Sequence, residues 1–123
     1  MDQTPLEIKL ESIRSLQSTI RKSKKALAQM TRKGANPTLI TKRLKSAEIG
    51  LAAVEHLMYQ TTFGYTPEEL AKARDVLFGL LPALETQLAK FQEPSAQRTL
   101  LERRIAAQNV AIRAIDALLT SIE

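Results

Sequence analysis

The chain has 123 residues, 44% of them apolar and 25% charged, a net charge of +5 and no cysteine. This composition predicts one soluble helical domain, since aromatic residues at 4% are too scarce for a typical β-sandwich or barrel. Without cysteine there is no disulfide, thiolate catalysis or cysteine-ligated metal. Together with the lack of an apolar leader or of an apolar run of about 18 residues, this predicts a cytoplasmic protein without a membrane span.

The first two helices are predicted over residues 5–33 and 37–60. Thr4-Pro5 and Asn36-Pro37 are helix starts, because Thr and Asn cap helices and proline fits the first helical position. Gly34 ends the first helix, because glycine tolerates the left-handed backbone found there. The apolar residues that recur at helical spacing are expected to face the core: Leu6, Leu10, Ile13, Leu16, Ile20, Leu27 and Met30, then Ile40, Leu44, Ala47, Leu51, Val54 and Met58.

The third and fourth helices are predicted over residues 67–92 and 95–122. Thr66 and Glu69 have the spacing of a capping box. Pro82 removes one helical hydrogen bond, so we expect the third helix to continue through it with a kink. The apolar stripes are Leu70, Ala73, Leu77, Leu80, Leu84, Leu88 and Phe91, then Leu101, Ile105, Gln108, Ile112, Ile115, Leu119 and Ile122.

Three features of these helices have more than one interpretation. The fourth helix has a second apolar stripe, at Ala107, Ala111, Ala114 and Leu118, which indicates either a central helix or a homodimer contact. Gln108, inside an apolar stripe, is expected to make a buried hydrogen bond that fixes helix pairing, or else to face a ligand. The mid-helix glycines, Gly50 and Gly79, are expected to permit close helix approach, with a hinge as the alternative at Gly79.

Short turns between long helices predict an all-α fold, an antiparallel up-down-up-down four-helix bundle that forms a single domain over residues 1–123. The first and third turns then share one end of the bundle. Basic residues gather there, whereas acidic residues such as Glu11 and Glu69 are expected at the opposite end. The basic tip is the candidate anion- or partner-binding site: Lys24, Lys25, Arg32, Lys33, Lys42, Arg43, Lys45, Arg103 and Arg104.

Residues for catalysis are scarce. His56 is the only histidine, and nucleophile triads, glycine-rich phosphate loops and metal-ligand spacings are absent from the sequence. We therefore expect a protein that is not an enzyme and that uses no cofactor and no metal.

The preferred functional interpretation is an adaptor-like interaction or regulatory protein with an unidentified protein partner, which dimerises through the fourth helix. The alternative is sequence-independent binding of nucleic acid or another polyanion, or of an acidic protein, at the basic tip. For the basic tip taken alone, the preferred interpretation is a solvated surface, whose lysines complement the C-terminal dipole of the first helix.

Overall fold

The computed structural model describes residues 4–122, which form four α-helices: α1 Leu6–Lys33, α2 Thr38–Tyr59, α3 Pro67–Ala89 and α4 Ala96–Ile122. No strand occurs in this range, so the predicted all-α four-helix bundle is confirmed. Residues 1–3 and 123 of the predicted domain, and the side chain of Ile122, lie outside the described part.

Two of the predicted capping signals are confirmed, and two are wrong: Pro5 and Pro37 are themselves the N-cap residues of α1 and α2, which begin one residue later than predicted, and these N-cap residues make no side-chain cap hydrogen bond. Thr66 and Glu69 form the expected capping box, in which each backbone N–H donates to the other side chain at 3.1 Å. Gly34 ends α1 with a left-handed φ of 71°. The predicted end of α3 at residue 92 is wrong, because the N–H groups of Lys90 and Phe91 bond to carbonyls three residues back, which closes the helix at Ala89.

The third helix is one continuous element, as predicted. Pro82 lies inside it, and the Thr86 hydroxyl donates to the Pro82 carbonyl at 2.9 Å one turn later. The kink at Pro82 stays a prediction. The helix therefore carries its apolar stripe past the proline without a change of register.

The fourth helix is central, and it shares this position with α2, which also contacts the other three helices. Helix α4 contacts each of the other three helices, and its second apolar stripe is buried, with Ala107 and Ala111 at most 1% exposed. The apolar face that suggested a homodimer is thus covered by helices of the same chain. Within the described residues no Cα atom of α1 lies within 8 Å of a Cα atom of α3, whereas both helices approach α2 and α4 this closely. The two outer helices therefore lie on opposite sides of the α2–α4 pair.

The contact between α2 and α4 depends on Gly50. A Cβ atom placed on Gly50 would lie 3.0 Å from the Ala111 Cβ and 3.2 Å from the Leu77 Cδ1. The predicted close helix approach at Gly50 is confirmed. The same prediction for Gly79 is wrong, because no atom of another helix in the described part of the chain lies within 4 Å of the position that its Cβ would take. The hinge at Gly79 stays a prediction.

The apolar stripes of the outer helices are not buried along their whole length, contrary to prediction. Buried residues of α1 extend only from Ser12 to Ile20, and those of α3 only from Leu70 to Leu81. At the start of the α1 stripe Leu6 and Leu10 are exposed, and the later members of both stripes are half-buried: Leu27 and Met30 in α1, Leu84 and Leu88 in α3, and Phe91 just after α3. The reason is that α1 and α3 do not meet, so these side chains lack the helix that would cover them.

The two mid-helix glycines give a matched test of the α2–α4 contact. We expect Gly79→Ala to stabilise the protein by about 1 kcal/mol, because its methyl group meets no atom of another described helix and alanine favours helix. We expect Gly50→Ala to destabilise it by a net of about 1 kcal/mol, because the Ala111 methyl is fixed to its backbone and cannot rotate away. Urea unfolding measures the change in the free energy of unfolding for each variant. Equal stabilisation by the two substitutions would contradict the close contact at Gly50.

Candidate partner-binding groove

A groove opens among the four helices, beside the Gly50–Ala111 contact. It has a volume of about 450 Å³ and is lined by residues 19–26 of α1, 40–47 of α2, 77–87 of α3 and 104–108 of α4. The lining residues of α2 and α4 all precede Gly50 and Ala111 in the sequence. The groove therefore lies on the N-terminal side of this contact in both α2 and α4, and α1 and α3 also line it.

Half of the fourteen residues that line the groove are apolar, and the other half are polar or basic. The apolar members come from three helices: Ala26, Ile40, Ala47, Leu77, Leu80, Ala83 and Leu84. Leu77 and Ala47 are buried, whereas Ile40, Leu80 and Leu84 are half-buried. Part of the apolar surface of these half-buried side chains is in contact with water. A partner that covered this surface would bind favourably through the hydrophobic effect.

Three cations border this apolar surface, and none of its lining residues within positions 4–122 carries a carboxylate. They are Lys22 on α1, Arg43 on α2 and Arg104 on α4. Lys22 and Arg43 are exposed and Arg104 is half-buried. None of the three forms an ion pair with another residue between positions 4 and 122. The groove thus combines apolar surface with uncompensated positive charge.

Gln108 forms part of the deepest lining of the groove. It is 6% exposed, and its Nε2 donates a hydrogen bond to the Leu77 carbonyl at 3.3 Å. The predicted buried hydrogen bond is confirmed, and it links α4 to α3. The role of this bond in fixing helix pairing stays a prediction. The alternative role, contact with a ligand, is compatible with the position of Gln108 in the groove.

The nine residues of the predicted basic tip have different surroundings, and their role as one binding site stays a prediction. Arg43 and Arg104 line the groove. Arg103 and Arg104 line an adjoining cleft between α1 and α4, with a volume of about 250 Å³. The remaining residues are exposed and line neither the groove nor this cleft: Lys24, Lys25, Arg32, Lys33, Lys42 and Lys45.

Two residues of the predicted basic tip pair with carboxylates that were expected at the opposite end. Lys45 Nζ lies 3.3 Å from Glu69 Oε2, and Arg103 Nε lies 3.2 Å from Glu11 Oε1. The expected separation of the charges into a basic end and an acidic end is therefore wrong for these pairs. The helices are offset or inclined enough for the early turns of α1 and α3 to reach the basic side chains.

Two basic residues that line the groove or the cleft were missing from the predicted set. Lys22 borders the groove and Arg14 lines the α1–α4 cleft. A signal for both was present in the sequence, because Arg14, Ser18 and Lys22 follow one another at four-residue spacing, within the acid-free segment between Glu11 and Glu48. This spacing places the three side chains along one face of α1.

Comparisons with protein-family models, with curated proteins and with solved structures give no match to this chain. Among the described residues, no helix combines the length and the hydropathy that a bilayer crossing requires. The function is therefore inferred from the groove, the cleft and their charges.

The contacts of Glu69 with Thr66 and Lys45 predict that the stability of the protein depends on pH. The Thr66 N–H, and after it the Lys45 ammonium group, lower the pKa of Glu69 below its ordinary value of 4.5. A carboxylate with a lowered folded-state pKa stabilises the fold above about pH 4.5, and this contribution is lost as the pH falls through the folded-state pKa. We expect Glu69→Gln to reduce the acid-induced fall in melting temperature.

The control for this experiment is Glu68→Gln, which removes an exposed neighbouring carboxylate that makes no hydrogen bond or ion pair with a described residue. Thermal unfolding followed by circular dichroism, at several values between about pH 3 and pH 6, measures the difference. If the melting temperatures of Glu69→Gln and of the parent protein fell equally between about pH 6 and pH 3, the contacts of Glu69 with Thr66 and Lys45 would have no role in the acid sensitivity of the protein.

Proposed function

We propose that the protein is a non-enzymatic, adaptor-like binding module that takes an acidic amphipathic helix of a partner protein into the groove. The observation that carries this proposal is the occurrence, in one groove, of apolar surface and three cations, with no ion pair to these cations and no lining carboxylate among residues 4–122. The cytoplasmic location expected from the cysteine-free sequence is part of the same proposal.

The form of the groove favours a helix as the occupant. Its apolar α3 residues, Leu77, Leu80 and Leu84, are spaced by three and four positions, the spacing with which one helix packs against another. The groove lies between α1 and α3, which do not contact each other. A partner helix with apolar residues at positions i, i+3, i+4 and i+7 would continue the helix packing of the bundle at this point.

The charges favour an acidic occupant. Lys22, Arg43 and Arg104 come from three different helices, so cations border the apolar surface on more than one side. Glu and Asp residues that flank the apolar stripe of a partner helix would pair with them. Exposed charges of this kind mainly accelerate association and reject basic partners, and their effect weakens as salt rises.

Two synthetic peptides test this proposal. Both carry leucines at helix-packing spacing and a fluorescein label, and they differ only in flanking residues, Glu in one and Lys in the other. We expect fluorescence anisotropy to show saturable binding of the Glu peptide and at least tenfold weaker binding of the Lys peptide, because only the first complements the three cations.

Matched variants of the protein locate the binding surface. The Lys22→Gln, Arg43→Gln double variant should weaken binding of the Glu peptide by about tenfold, which is about 1.4 kcal/mol. The control, Lys72→Gln with Arg113→Gln, removes the same charge from exposed positions outside the groove and should leave the affinity within about twofold. Equal effects of the two double variants, or no binding of the Glu peptide, would contradict the proposal.

A second candidate function is sequence-independent binding of nucleic acid. It is supported by the exposed cations that line neither the groove nor the cleft and form no ion pair with a described residue: Lys24, Lys25, Arg32, Lys33 and Lys42. Replacing Lys24, Lys25, Lys33 and Lys42 with Gln should then abolish binding of labelled duplex DNA and leave the Glu peptide bound.

Duplex binding measured between about 50 and 200 mM salt should weaken steeply in the parent protein, because each neutralised phosphate releases counterions. No binding even at the lowest salt would exclude this second function and leave these lysines as a solvated surface.

A further inference from the structure

We infer that the cleft between α1 and α4, which adjoins the proposed helix-binding groove and shares Thr19 and Arg104 with it, is a binding site for a phosphate-type oxyanion. The cleft has a volume of about 250 Å³, and its lining includes three guanidinium groups and three hydroxyl groups. The guanidinium groups belong to Arg14, Arg103 and Arg104, and the hydroxyl groups to Ser15, Ser18 and Thr19. All six are hydrogen-bond donors, which is the chemistry that a multiply charged oxyanion requires.

The two helices bring these donors together through their regular spacing. On α1, Arg14 and Ser18 are separated by four residues, and so are Ser15 and Thr19, so that they form two neighbouring columns on one face. On α4, Leu100, Arg103 and Arg104 occupy positions i, i+3 and i+4 of a facing stripe. The regular geometry of α1 and α4 therefore holds these donor residues close together before any ligand binds.

The charge of the cleft matches a dianion. Three arginines and one carboxylate, that of Glu11, line it, so the net charge is +3 − 1 = +2. Glu11 binds Arg103, with 3.2 Å between Oε1 and Nε, whereas Arg14 and Arg104 form no ion pair with any described residue. The carboxylate of Glu11 therefore compensates Arg103, and the guanidinium groups of Arg14 and Arg104 remain for another oxyanion.

The size and lining of the cleft favour a small phosphorylated molecule. Leu100 is the only apolar side chain in the lining, and no aromatic ring is present among these residues on which a nucleobase could stack. Arginine binds phosphate through two parallel N–H···O bonds, and serine and threonine hydroxyls can donate to the remaining oxygens. A phosphate monoester dianion, free or at the end of a small molecule, is therefore the expected ligand.

The thermodynamic consequence is a stabilisation by phosphate that ordinary salt does not reproduce. A ligand that binds only the folded state raises its stability with concentration, and a bound dianion would also relieve repulsion among the three arginines. We therefore expect the melting temperature to rise saturably with inorganic phosphate at about pH 7.5 and constant ionic strength, with sodium chloride as the compensating salt.

The variant Arg14→Gln tests the assignment, because Arg14 lines the cleft and not the groove. We expect at least a tenfold loss of phosphate affinity in isothermal titration calorimetry, with binding of the Glu peptide unchanged. Arg113→Gln, which removes an exposed arginine of α4 outside the cleft, is the matched control and should retain phosphate binding. A result in which phosphate and chloride act alike, or in which Arg14→Gln binds phosphate as the parent does, would overturn the inference.

Titration with O-phosphoserine identifies the source of the phosphoryl group. Binding of inorganic phosphate and of O-phosphoserine with similar affinity supports a site for a terminal phosphoryl group, and binding of inorganic phosphate alone supports a site for the free anion. Failure of both ligands refutes the oxyanion site. Because the peptide experiment depends on Lys22 and Arg43, that failure would be distinguishable from a failure of the proposed function.

Discussion

The contact between Gly50 of α2 and Ala111 of α4 determines how the rest of the bundle is arranged. With no side chain at Gly50 and only a methyl group at Ala111, the two helices meet in the middle of the molecule. The outer helices α1 and α3 then lie on opposite sides of this pair and do not contact each other. The C-terminal ends of the apolar stripes of α1 and α3 are half-buried, because neither helix is close enough to the other to cover them.

The same arrangement divides the basic residues into groups with different surroundings. Arg43 and Arg104 border apolar surface in the groove, and Arg14 and Arg103 lie among hydroxyl groups in the cleft. Arg32 and Lys33 lie in the last turn of α1, where they complement the helix dipole and face solvent. Only the groups in the groove and the cleft combine charge with a shaped surface, and for this reason the proposed binding sites are assigned to them.

The sequence predicted the elements well and their relative positions poorly. Local signals such as the Thr66–Glu69 capping box and the left-handed Gly34 act within one turn of chain, so they could be read without the fold. Gly50 and Gly79 look alike in the sequence, and only the positions of neighbouring helices show that one is a contact and the other is open. The Lys45–Glu69 pair was missed for the same reason, since antiparallel order alone does not specify helix offset.

The central claim is that the groove beside the Gly50–Ala111 contact is the surface that binds a partner. Titrating ¹⁵N-labelled protein with the acidic peptide, followed by two-dimensional NMR, tests it most directly, because every non-proline backbone amide reports separately. The account predicts that the largest shift changes fall on amides of the four groove-lining segments, such as those of Ser23, Ala47, Ala83 and Gln108. Changes confined to the other side of the contact, around Leu57 and Ala117, would contradict it.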